Sequence, residues 1–104
     1  AGYLEQFPTA GLTGKYTCVE DFYLRAREDA YLTGGIENGM IVAGHTPTLS
    51  KDYMMYNGGL VYQHYDPQKN CLYYDIDCGC SYRTVRANAR LACLCAETGA
   101  IYYL

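Results

Sequence analysis

Six cysteines in a chain of 104 residues constrain this sequence more than any other feature. They are Cys18, Cys71, Cys78, Cys80, Cys93 and Cys95. A domain of this size buries limited apolar surface, and small domains in oxidising compartments are often cross-linked to make up the deficit. The even number predicts a framework of three disulfides, each worth about 2–4 kcal/mol. Sequence does not choose among the pairings. Cys78 and Cys80 are too close for an easy mutual bridge, as are Cys93 and Cys95, so bridges are expected between clusters. Cys18 stands alone and closes a long loop to the second half. Zinc is the competing use of these sulfurs, but its ligand pairs are usually spaced by about two to four residues. Here Cys78-Gly79-Cys80 and Cys93-Leu94-Cys95 are tighter, and His45 and His64 are isolated. No metal or other cofactor is expected.

The length bounds the chain to one domain, residues 1–104, with 1–14 as an N-terminal arm. Half the residues are hydrophobic and 18% are charged, which excludes a disordered chain. A net charge of −3 and the lack of a lysine-rich tract argue against a general nucleic-acid binder. No apolar run is long enough to span a bilayer, so no membrane partner is expected. The chain opens Ala1-Gly2-Tyr3, as a processed form would, and with the cysteines this predicts a secreted, extracellular protein, or one translocated into a host. No Asn-x-Ser/Thr triplet occurs, so N-glycosylation is not expected.

Along the chain, a short strand is expected near Lys15–Tyr16. Thr17-Cys18-Val19-Glu20 has the spacing of a capping box. Val19, Phe22, Tyr23, Ala26 and Ala30 follow at helical spacing, with Asp21–Arg25 and Arg25–Asp29 as i,i+4 pairs and Gly34-Gly35 as the stop. Asn38-Gly39 is a turn before the apolar run Met40–Ala43. Asn57-Gly58 between Tyr53–Tyr56 and Leu60–Tyr65 predicts a hairpin. Asp66-Pro67-Gln68-Lys69 is a further turn, and Cys71–Ile76 a strand with Leu72, Tyr74 and Ile76 on one face. Ser81 caps a second helix from about Tyr82, with Val85, Ala89, Ala92 and Ala96 as its stripe and Gly99 as its stop. Leu91–Ala96 also reads as a strand leading to Ile101–Leu104, but the serine cap and the alanines favour the helix. The order predicts an α+β fold: two helices packed on one face of an antiparallel, disulfide-stabilised sheet.

Several residues invite a chemical reading. His45 and His64, with Glu20 as a substitute, have the types needed to move protons in RNA cleavage, and a nearby arginine could hold the phosphate. The plainer reading puts His45 in a Gly-His-Thr-Pro loop and His64 on a strand facing solvent. Asp75 and Asp77 lie near Gly79, but position twelve counted from Asp75 is Arg86, so a calcium loop is absent. Arg83, Arg86 and Arg90 fall on one face of the expected second helix, either as a solvated face or as a docking surface for an acidic partner or phosphate. Thirteen of the fifteen aromatics are tyrosine, and sheet faces cannot hide them all. Tyr62 and Tyr65 therefore join the arginines as a candidate interaction surface.

Tyr16-Thr17-Cys18 before a helix resembles the start of the small fungal guanyl-specific ribonucleases. The wider pattern of Ala1, six cysteines ending in Cys93-Leu94-Cys95, and helix-strand-strand-helix-strand order is similar to small secreted cysteine-rich fungal effectors and the KP6 killer-toxin class. That resemblance implies a ferredoxin-like α/β sandwich and a virulence or interaction protein without an active site. The expected function is a secreted, non-enzymatic effector that binds a host or co-secreted protein. The alternatives are a small secreted ribonuclease using His45, His64 and Glu20, and an extracellular toxin or inhibitor. The edge near Ile101–Leu104 also allows weak self-association.

Overall fold

The strand Cys71–Asp75 organises the molecule, because it is buried on both faces. In the computed structural model, which describes residues 19–27 and 36–104, it is the middle of a three-stranded sheet. The elements in chain order are helix α1 (Val19–Arg25), strands β1 (Gly39–Ala43), β2 (Tyr62–Asp66) and β3 (Cys71–Asp75), a 3-10 turn (Cys80–Tyr82), and strands β4 (Ala92–Leu94) and β5 (Ile101–Tyr103). The sheet order is β1-β3-β2. β1 runs parallel to β3, with Ile41 opposite Tyr73, and β2 runs antiparallel to it, with His64 opposite Tyr73.

Alternation along β3 sends side chains to two different cores. Tyr73 joins Phe22 of α1 and Met55 in one cluster, with Ile41, Ala43, Tyr53 and Tyr62 around it. Tyr74 joins Val61 and Cys78 in the other, with Met40, Leu72, Ile76, Ala92, Leu94 and Ile101 around it. The sheet is thus a middle layer, with α1 on one side and the β4–β5 hairpin on the other. Leu72, Tyr74 and Ile76 share a face, as their spacing predicts.

The turn between β2 and β3 is built by asparagine and aspartate chemistry. Asp66 Oδ1 accepts the Gln68 N–H at 2.9 Å, and Asn70 adopts a left-handed φ of 50°. Asn70 Nδ2 donates to Asn38 Oδ1 at 3.1 Å, and the Tyr65 hydroxyl donates to Asn70 Oδ1 at 2.8 Å. Backbone bonds from the Asn38 and Gly39 amides to Lys69 and Asn70 then fix the start of β1 against this turn.

Several expectations are overturned. The described residues contain one α-helix, so two helices on one sheet face is not the fold. The sheet is mixed, because β1 and β3 are parallel. Cys71, Cys78, Cys80, Cys93 and Cys95 are free thiols, so no disulfide joins any two of them. The expected second helix is replaced by the 3-10 turn and β4. Gly79 precedes the turn in a left-handed conformation, and the Ser81 hydroxyl makes no capping bond. Arg90 N–H bonds to Cys78 O, and Leu91 and Leu104 exchange backbone bonds, which holds the segment extended. The strand reading of Leu91–Ala96 is the one that holds for Ala92–Leu94. Asn57-Gly58 is a turn, with Leu60 N–H bonded to Asn57 O, but Tyr53–Tyr56 is no strand and no hairpin forms there. Of the first helix, Val19–Arg25 is as expected, and Arg25 Nη2 donates to Asp21 Oδ2 at 2.7 Å. The N-terminal arm, the strand at Lys15–Tyr16, Thr17, Cys18, Asp29, Ala30 and Gly34-Gly35 lie outside the described residues.

Candidate functional site

The long connection from Gly44 to Val61 does not wander. Thr48 N–H bonds to Asp77 O at 2.9 Å, and Thr48 O accepts the amides of Asn57 and Gly59. Leu49 is buried where this connection meets the segment after β3. The backbone approach there is close: a Cβ on Gly79 would run into the Leu49 side chain, and one on Gly59 would run into Asn88 O. Both glycines have positive φ, so glycine is required at each for conformation as well as space. Asn88 Nδ2 donates to Gly58 O at 3.1 Å and completes the knit.

This arrangement opens a cleft of about 780 Å³. Its wall carries Arg27 from just past the end of α1, His45 and Lys51 from the long connection, and Arg86 from beyond the 3-10 turn. Tyr53, Tyr82, Ser50 and Ser81 add rings and hydroxyls, and Asp52 and Asp77 add carboxylates. The cations are braced by neutral groups. The Arg27 guanidinium lies 4.7 Å from the Tyr53 ring centroid, and its Nη1 is 3.4 Å from both His45 O and Thr46 Oγ1. Lys51 Nζ is 5.9 Å from the Tyr56 ring centroid, and Arg86 Nη2 reaches Leu49 O at 3.5 Å. Among the described residues none of the three is ion-paired. His45 holds a left-handed φ of 72°, which is uncommon for a non-glycine residue and places it at the cleft as a turn residue.

Beneath the cleft sits a buried carboxyl. Asp75 is fully buried, its Oδ1 accepts the Asp77 N–H at 3.0 Å, and its Oδ2 has no partner among the described residues. Burial lifts it to about 7, against the pull of that amide bond. Asp77 Oδ1 in turn accepts the Gly79 N–H at 3.1 Å, so Asp75 and Asp77 set the loop that brings Ser81 and Tyr82 to the cleft. Burial also pushes the Cys78 thiol up.

The residues that sequence singled out are dispersed. His64 stands opposite Tyr73, which pairs on its other side with Ile41. His45 lies four residues beyond Ile41, past the end of β1, so the two histidines are separated by about two strand spacings, ~10 Å, across the sheet as well as along it. Glu20, on the first turn of α1, does not line the cleft. The arginine stripe is split: Arg86 lines the cleft, Arg83 is exposed and does not line it, and Arg90 lies 5.6 Å from the Tyr103 ring centroid. Tyr62 is half-buried against Tyr73, with ring centroids 6.4 Å apart, and Tyr65 is exposed beside Asn70. Sequence reasoning missed Arg27, Lys51, Tyr53 and Tyr82. The available signal was the length of the Gly44–Val61 connection, since long ordered loops commonly carry function. Among the described residues no three His, Cys, Asp or Glu side chains assemble to hold a metal ion, and no helix is long and apolar enough to cross a membrane. No protein-family model, curated protein or solved structure matches this chain.

Proposed function

We propose that the protein is a non-enzymatic binding protein that engages a partner protein through the cleft of Arg27, Lys51 and Arg86, gripping an anionic side chain. The observation that carries this reading is that three cations with no carboxylate partner among the described residues line one cleft from three separate segments, in a chain of net charge −3. Unpaired cations held in place by rings and carbonyls lose little further freedom on meeting an anion, which favours binding. Exposed Tyr82 at the same cleft supplies contact area at low entropy cost.

The ribonuclease alternative needs two proton-transfer groups at one phosphate. The wide spacing of His45 and His64 supports the binding reading over it. The test is affinity capture of a single partner by the full chain. Capture is expected to be lost with Lys51→Glu and with Arg86→Glu, and retained with Arg83→Glu, which reverses a charge that does not line the cleft. Equal capture by all variants, or cleavage of RNA by the purified chain that disappears with His45→Ala, overturns the proposal.

A further inference from the structure

Arg27, Lys51 and Arg86 outnumber the two carboxylates of the cleft, Asp52 and Asp77, and the geometry points to a phosphate monoester on a partner's side chain as the group it grips. This rests on the reading of the cleft as the partner-binding surface. A carboxylate carries a single charge on two oxygens, and one arginine fork satisfies it. A phosphorylated side chain carries about −1.5 to −2 charge and three acceptor oxygens at neutral pH. Arg27, Lys51 and Arg86 come from different elements and line one wall system, each free of a carboxylate partner among the described residues. Ser50 and Ser81 hydroxyls, and the Tyr82 phenol, add neutral donors there.

The two carboxylates sharpen the choice. Asp52 and Asp77 line the same cleft. They repel a uniformly acidic strand, such as a nucleic acid or a polyglutamate run, along its length. A single compact dianion flanked by neutral or basic residues concentrates its charge on the cations, and basic neighbours offset the repulsion from the carboxylates. The cleft's volume, about 780 Å³, admits one such side chain with the residues on either side of it. Loop-borne cations around a phosphorylated residue are also a common way in which arginine clusters read phosphate.

Calorimetric titration of the full chain tests this with degenerate peptides fixed at phosphoserine, phosphotyrosine, glutamate or serine, and with AMP and inorganic phosphate as separate ligands. One phosphopeptide pool is expected to bind about tenfold or more tightly than the glutamate pool, as charge-assisted contacts to two or more extra donors imply. Arg86→Gln and Lys51→Gln should each weaken that pool by about fivefold or more, and Arg83→Gln should leave it unchanged. Thermal melting of each variant separates loss of binding from loss of fold. Equal binding of glutamate and phosphopeptide pools overturns the phosphate inference and leaves the cleft reading standing. Binding of AMP with no phosphopeptide binding overturns it in favour of a nucleotide. No binding by any probe, with all variants folded, overturns both readings.

Discussion

The two faces of the central sheet are closed by different means. On the α1 face, Phe22 and Met55 are driven almost wholly out of solvent against Tyr73, and the same face carries the buried carboxyl of Asp75. On the other face, the β4–β5 hairpin covers Tyr74, Val61 and Cys78 with side chains that are themselves only half-buried: Ala92, Leu94 and Ile101. The first face depends on large apolar side chains and keeps one ionisable group out of water. The second depends on a short backbone ladder and a few ties, with its outer surface open to solvent. The difference teaches that the face beside the cleft is held by the larger buried side chains and carries the carboxyl that titrates near neutral pH.

Truncation gives the largest contrast. Phe22→Ala is expected to cost about 3–5 kcal/mol in chemical denaturation, since the ring is almost wholly buried against Met55 and Tyr73. Ile101→Ala, at a half-buried position across the sheet, is expected to cost no more than about 2 kcal/mol. Equal costs for the two would remove the distinction between the faces.

The second contrast is in pH. Asp75 is lifted to about 7, chiefly by burial, from an ordinary value of 3.8. The native state therefore holds this proton more tightly than the unfolded chain does. Its contribution to stability is complete below about pH 4 and falls as pH rises through 7, by up to about 4 kcal/mol at ~1.4 kcal/mol per pH unit. Asp75→Asn cannot ionise, so it should remove this downward slope between pH 4 and 7 relative to the parent chain. Melting temperatures of both proteins across that window measure it. Parallel curves would mean that the carboxyl stays ionised throughout and that water or movement reaches its Oδ2.

How much of this was legible follows from how local each signal is. The strand at Cys71–Asp75 shows in a period-two pattern that its own residues carry, and its neighbours confirm the faces. The asparagine turn at Asn57-Gly58 is real, but only Gly58 and Gly59 have positive φ there, and a tight hairpin of the expected type needs that conformation at both central residues. The segment from Ser81 to Ala96 has helical composition, yet its backbone is captured by Cys78 and Leu104 and its Asn88 side chain by Gly58 O, partners whose proximity no local window contains. Tertiary bonds override a propensity of a few tenths of a kcal/mol per residue. The cleft was hidden for the same reason. Arg86 stood out as part of a stripe, but Lys51 joins it through the long connection that packs at Leu49 against Gly79, and Arg27 comes from beyond the end of α1.

The smallest effect concerns the tie that seats the hairpin. The Tyr103 hydroxyl accepts the Val61 N–H at 3.1 Å, linking β5 to the residue just before β2. Val61 is buried at 6% exposure, so removing the acceptor leaves its amide with no water to replace it. Tyr103→Phe keeps the ring under Arg90 and removes only the oxygen, and is expected to cost about 1–2 kcal/mol. Tyr102→Phe, at 63% exposure on the adjacent strand position, changes a solvated hydroxyl and should cost nothing measurable. Amide hydrogen exchange adds a local readout: Val61 N–H should lose protection in Tyr103→Phe while the β2–β3 amides keep theirs. If Val61 keeps its protection and the two tyrosine variants are equally stable, apolar contact alone seats the hairpin, and the two faces differ in area buried and not in kind.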